Sequence, residues 1–105
     1  MAQIVWTEPA LIDLEEIASY IALDKTSAAE NLVQKTFDAV ERLKQHTNSG
    51  RTPPELQNSH FQEIIVDPCR IFYRCQKDTV YILHVMRSER KLRKYVIDAR
   101  AKNET

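Results

Sequence analysis

The chain has 105 residues, 43% hydrophobic and 29% charged, enough for one domain with one modest core. No stretch approaches the roughly 20 apolar residues of a membrane span, the first residues lack a basic-then-apolar export signal, and the single glycine, Gly50, excludes the glycine-rich cradles that hold nucleotide phosphates. Net charge is zero, yet residues 1–41 hold eight acids against two bases and residues 42–105 hold thirteen bases against seven acids, an asymmetry that predicts two faces with different partners.

The expectation is a cytoplasmic protein with no membrane contact, no cofactor and no metal. His46, His60 and His84 have no ligand spacing. Cys69 and Cys75 fall on one face of one strand, too far apart to bond, and read as buried free thiols.

Residues 3–7 (QIVWT) read as a short strand, β-branched and aromatic, stopped by Pro9. Thr7 is placed to cap a helix from Glu8 to about Leu23, with Pro9 in its first turn and Ala10, Leu14, Ile17, Ala18 and Ile21 on one stripe. Ser27 with Glu30 suggests a capping box opening a second helix to about His46. Its predicted buried stripe is Ala29, Val33, Phe37, Val40 and Leu43. The three-residue link implies an antiparallel helical hairpin. Gly50, Pro53 and Pro54 make residues 47–59 a loop.

Three strand-like runs follow, over 61–67, 69–76 and 79–86, short enough in their connections to form an antiparallel meander. From Ser88 the spacing turns helical, with Ser88 as cap and Leu92, Tyr95, Val96 and Ala99 on the apolar side. The predicted fold is α+β, in the order β-α-α-β-β-β-α, with the helical hairpin packed on a small antiparallel sheet and a basic C-terminal helix.

The stretches WTEPALIDLEEIASYI, SGRTPPEL, CRIFYR and VYILHVMRSERKL, in that order, resemble the RelE/ParE superfamily of toxins from type II toxin–antitoxin systems, and the ParE-like branch in particular. In the first of these, Ala10, Asp13, Leu14, Ile17, Tyr20 and Ile21 match the family pattern in register. The resemblance implies a single toxin domain over residues 1–100 with a frayed tail over 101–105. It also implies a cognate antitoxin, a toxin–antitoxin hetero-oligomer, and a target that is DNA gyrase or nucleic acid. RelE-like members cut messenger RNA on the ribosome, whereas ParE-like members inhibit gyrase without catalysis of their own.

Cutting RNA by attack of the 2′-hydroxyl needs a base, cations on the phosphate and an acid for the leaving oxygen. RelE-like toxins supply these from lysines on the first meander strand, an arginine on the second, an arginine beyond the third and a C-terminal tyrosine. Here Arg70 matches the second-strand arginine, Arg87 falls near the later one, and Tyr95 stands in for the tyrosine, farther along. The lysines are missing, since residues 61–67 offer only Glu63 and Asp67. A different nuclease, acting on RNA or nicking DNA, would use His84 as base with Arg70 and Arg87 on the phosphate. Strict alternation puts Val80, Ile82, His84 and Met86 on one face and Tyr81, Leu83, Val85 and Arg87 on the other, so His84 reads as a core or edge histidine.

Two cationic features remain. Arg70 and Arg74 flank Phe72 on one face, as an anion-binding strip or as partners of Glu63 and Asp67. Residues 87–102 carry seven bases against two acids. Arg90, Arg93 and Lys94 fall on one helical stripe with Arg87 just before it and Lys91 beside it, a target-binding surface or a solvated face favoured at a helix C-terminus. The acidic hairpin, through Glu15, Glu16 and Tyr20, is the expected antitoxin face. A stand-alone nucleic-acid-binding module has little use for that hairpin.

Overall fold

A computed structural model describes residues 1–104. Strands β1 (Gln3–Trp6), β2 (Phe61–Val66), β3 (Cys69–Gln76) and β4 (Thr79–Arg87) form one sheet in the order β1-β4-β3-β2. β2, β3 and β4 are the expected antiparallel meander, while β1 adds parallel to β4, so the sheet is mixed. Helices α1 (Glu8–Ala22) and α2 (Thr26–Glu41) form the hairpin, and α3 (Lys94–Lys102) closes the chain. The element order is the predicted one.

The layering is richer than a hairpin on a sheet. One core lies between the hairpin and the sheet, with Ala10, Leu14, Leu32, Val40 and Leu43 packed on Ile71, Tyr73, Val80, Ile82 and Val85. A second core lies on the opposite face, where Ile97 and Ala101 of α3, with Leu92 and Leu56, cover Phe72, Leu83 and Met86. The sheet is therefore buried on both sides, which explains why β3 is buried without a break from Cys69 to Tyr73.

Several expectations are corrected. In α2 the buried stripe is Ala29, Leu32, Thr36, Ala39 and Val40. Phe37 lies at its margin, 39% exposed, with its ring 4.9 Å from that of Trp6. No capping box forms, because α2 starts at Thr26 with Lys25 in the cap position, placing Ser27 inside the first turn. Thr7 holds the cap position of α1, but its hydroxyl donates to the carbonyl of Ile82 and so ties the helix start to β4.

On β4, Phe72 faces His84 while Tyr73 faces Ile82, so one extra residue bulges at Leu83. A bulge flips the alternation beyond it. Val85 therefore joins Val80 and Ile82 under the hairpin, and Met86 joins Leu83 under α3. His84 and Arg87 still lie on opposite faces, since both follow the bulge.

The last helix begins at Lys94 rather than Ser88. Two tertiary hydrogen bonds hold residues 88–93 in an irregular turn: Ser88 N–H donates to the Pro68 carbonyl and Leu92 N–H to the Glu55 carboxylate. With that start the buried positions become Ile97 and Ala101, and Tyr95 points away, 67% exposed. Residues 101 and 102 of the expected tail are helical, and Thr105 of that tail lies outside the described residues. Gly50 is required by close approach, because a Cβ there would stand 2.5 Å from the Tyr73 hydroxyl oxygen and 2.6 Å from the Glu63 carbonyl oxygen.

Candidate target-binding surface

The cations singled out in the sequence separate into two groups. Arg70 is buried and belongs to a chain of ion pairs. Its Nε donates to Glu63 at 2.6 Å, its two terminal nitrogens donate to the two oxygens of Glu55 at 2.7 Å each, and its guanidinium carbon lies 4.9 Å from the Phe72 ring centre. Arg51 adds a bond to Glu63 at 3.0 Å. Hydrogen bonds from Arg70 hold the Glu55 carboxyl down at about 2, and those same bonds raise Arg70 against the opposing effect of burial. Four of the five N–H donors of this buried guanidinium are thus taken by the two carboxylates, and no bidentate edge is left for a phosphate.

Arg74 is likewise engaged. Its terminal nitrogen reaches Gln76 at 3.2 Å and the Ala101 carbonyl at 3.4 Å, close to the C-terminal end of α3, where a cation is favoured. His84 stacks on Phe72, 5.7 Å between ring centres, and its Nδ1 lies 2.8 Å from Asp13.

That contact belongs to a cluster absent from the expectations. Beyond Ile82, β4 has no β1 neighbour, so its backbone would be left open on that edge. The Asp13 carboxylate accepts the Val85 N–H at 3.0 Å, and Arg100 Nη1 donates to the Leu83 carbonyl at 3.1 Å and to Asp13. Two side chains thus finish the ladder that β1 leaves incomplete, one from each side of the sheet. The same Arg100 nitrogen lies 2.7 Å from His84 Nδ1, so that ring nitrogen sits between the Asp13 carboxylate and the Arg100 guanidinium. Burial pushes the Asp13 carboxyl up, but the bonds from His84, Arg100 and Val85 outweigh it and leave the carboxyl below its ordinary value. His84 is therefore an edge histidine. Asp13 was legible only as a matched family position, and Arg100 as one helical base among several.

The second group is the turn after β4. Arg90 and Lys91 are exposed and neither makes a side-chain hydrogen bond or close ion pair among the described residues, although, with the Glu89 backbone N–H and Arg87, the charge of Arg90 helps hold the neighbouring Glu89 carboxyl below its ordinary value. Arg87 donates to Glu89 at 2.8 Å, Arg93 to the Tyr95 hydroxyl at 3.4 Å, and Lys94 stands 3.8 Å from Asp98. Because residues 88–93 are irregular, Arg90, Arg93 and Lys94 sit along a turn and not on one helical stripe. Arg87 and Tyr95 do not converge with Arg70 and His84, since Arg87 is on the hairpin face and Tyr95 points outward.

The structure does bring Arg87 to the hairpin. Its guanidinium carbon lies 5.9 Å from the ring centre of Tyr20, which is 68% exposed. Glu15, Glu16 and Tyr20 lie on the outer side of α1, with exposed Ile12 on the same helix and exposed Leu23 just past its end. The acidic hairpin and the basic turn therefore meet at Tyr20 and Arg87. Among the described residues no helix is long and apolar enough to cross a membrane, and no group of acids, histidines and cysteines is placed to hold a metal ion.

Comparison with known proteins matches residues 4–92 to the family profile of the ParE toxin of the type II toxin–antitoxin system parDE. The protein Y4kP of Sinorhizobium fredii is 35% identical over 89 residues, covering 85% of this chain and 91% of its own. The toxin RelE2 of Caulobacter vibrioides is 31% identical over 91 residues, covering 86% of this chain and 99% of its own. A solved chain of the chromosomal ParDE toxin–antitoxin system from P. aeruginosa superposes with a TM-score of 0.70 at 26% identity, over 85% of this chain and 98% of that one.

Proposed function

The chain belongs to the ParE toxin family of type II toxin–antitoxin systems, and on that footing we propose that it acts by gripping its target, DNA gyrase, through the basic turn after β4, without cutting nucleic acid itself. The observation that carries this reading is the state of Arg70. The cation that a RelE-like nuclease would present to a phosphate is buried here between Glu55 and Glu63. β2 offers no lysine beside it. His84 is held by Asp13, on the face opposite Arg87, and the one cation that reaches its ring among the described residues, Arg100, is already committed to Asp13 and the Leu83 carbonyl. Arg90 and Lys91, by contrast, are free to bind, with Arg87, Arg93 and Lys94 around them.

The antitoxin is proposed to cover the outer side of α1, through Glu15, Glu16 and Tyr20. Its docking segment should be basic and apolar, matching those acids and the exposed Ile12 and Leu23. Such a partner at Tyr20 also reaches Arg87, so neutralisation follows from covering part of the basic turn.

The test is supercoiling by purified gyrase with and without the protein, beside a translation reaction with intact messenger RNA. Arg90→Ala and Lys91→Ala should each weaken inhibition by up to about fivefold, the range for an exposed ion pair, and the double variant should be weaker than either. His84→Ala should act only through stability. Cleavage of RNA or plasmid by the protein alone, abolished in a folded Arg87→Ala variant, refutes the reading.

A further inference from the structure

β2 is an edge strand of the sheet, and its outer side is covered at one rung only. Arg51 pairs there with Glu63, each N–H donating to the other's carbonyl, at 2.9 and 2.8 Å. In an antiparallel strand the backbone groups two residues on point the same way. Ile65 therefore directs its N–H and carbonyl outward, and neither has a partner among the described residues. The rung is open because the covering chain turns aside at Gly50, whose N–H donates to the Tyr73 hydroxyl at 3.0 Å. The Ile65 side chain is 52% exposed beside a shallow depression of about 230 Å³, bordered by Arg51, Pro54, Glu55 and Ser88.

Natural edge strands are ordinarily blunted by a lysine, a proline or an inward charge. β2 carries its inward charge, Glu63, at the rung that Arg51 covers, and an isoleucine occupies the open rung. The end of β2 next to Ile65 also adjoins the basic turn, because Ser88 N–H is bonded to the Pro68 carbonyl. A strand laid along Ile65 and continuing past Val66 runs toward the turn of residues 88–92, which carries the exposed Arg90 and Lys91. At that end Glu89 is paired with Arg87 and Glu55 with Arg70, which leaves Asp67 as the one opposing carboxylate without a partner among the described residues.

We infer that the target is gripped as a polypeptide: an extended segment of the target protein adds as a strand to the outer edge of β2 at Ile65, and acidic residues beyond that rung pair with Arg90 and Lys91. Backbone pairing supplies a donor and an acceptor that a nucleic-acid duplex does not match, and the apolar side chain between them suits a strand residue rather than a phosphate. This rests on the proposed target-gripping role and narrows its target to a protein segment.

Hydrogen exchange at the Ile65 amide tests it, with the intact protein alone, with gyrase holoenzyme and with supercoiled plasmid. The expected result is rapid exchange alone, slowing by about tenfold or more with gyrase, as one hydrogen bond of ~1.4 kcal/mol requires, and no slowing with plasmid. Ile65→Pro removes the outward N–H at a position where an edge strand tolerates proline. It should weaken inhibition about threefold to tenfold while leaving the melting temperature near wild type. Should that variant fold poorly, the wild-type amide carries the test. Gyrase inhibition with unchanged Ile65 exchange overturns the strand addition and leaves the gripping role standing. Slowing by plasmid alone overturns it in favour of nucleic acid. No binding of gyrase overturns both.

Discussion

Replacing Asp13 by Ala removes the carboxylate that closes the open edge of β4. It accepts from Val85 N–H and from Arg100, lies 2.8 Å from His84 Nδ1, and links α1 to α3 around the sheet. Leaving the Val85 N–H unsatisfied costs about 1–3 kcal/mol. Stranding a fully buried partner of an ion pair costs ~3–5 kcal/mol, but the side chains of Arg100 and Asp13 are 21% and 15% exposed, so water recovers part of it. The expected loss is about 2–4 kcal/mol, a large share of the ~5–15 kcal/mol available to a domain. Urea denaturation of Asp13→Ala, Arg100→Ala and the double variant measures it, and the cycle should give a coupling of about 1–2 kcal/mol. A loss below ~0.5 kcal/mol for Asp13→Ala, with additive single changes, would show that the cluster does not hold the edge.

The Glu55 carboxyl is held at about 2 against an ordinary 4.5 by its bonds from Arg70. A depressed carboxyl contributes stability above its unfolded value that is lost as pH falls through the folded one, so acid titration between about 4.5 and 2 should weaken the fold. Glu55→Gln should flatten that part of the stability profile, and an unchanged slope would contradict the pairing. Ile97→Ala should cost about 2–5 kcal/mol in denaturant melts, whereas Phe37→Ala, at the margin of its core, should cost only ~1–2 kcal/mol. The reverse ranking would mean the second core is not formed. Lys77, first in the β3–β4 turn, has φ 58°, so Lys77→Gly should stabilise by about 1 kcal/mol, and thermal melts that show destabilisation would refute that turn geometry.

The element order and the hairpin were readable because period and punctuation are local: Pro9, the short link at residues 24–26, and the three β-rich runs each announce themselves. Phase was less readable. The α2 stripe rotated because Leu32, Thr36 and Ala39 pack inward while Phe37 finds Trp6 at the edge. Faces beyond residue 83 were misassigned because a bulge leaves no mark in an alternating pattern. The start of α3 is set by Pro68 and Glu55, distant in sequence, and neither acts through helix propensity.

The candidate surface shows the same divide. Arg90 and Lys91 were visible as charge, and the missing β2 lysines were visible as absences. That Arg70 would be consumed by Glu55 was not visible, because Glu55 lies in a loop whose path depends on Gly50 and two prolines. The alternative pairing of Arg70 with Glu63 was readable from the meander register, since the two residues flank a tight β2–β3 turn. The Asp13–Arg100 contact spans 87 residues and both faces of the sheet, beyond the reach of any local pattern.

The most direct measurement for the central claim is a supercoiling assay with purified gyrase, titrated with wild-type protein and with the Arg90→Ala/Lys91→Ala double variant, with the nucleic acids then run under denaturing conditions to reveal any cut strand. The expected result is inhibition by the wild type, inhibition by the folded double variant weakened beyond the up to about fivefold loss of either single change, and no strand cut by the protein alone. Strand cutting in the absence of gyrase, or full inhibition by the double variant, would contradict it.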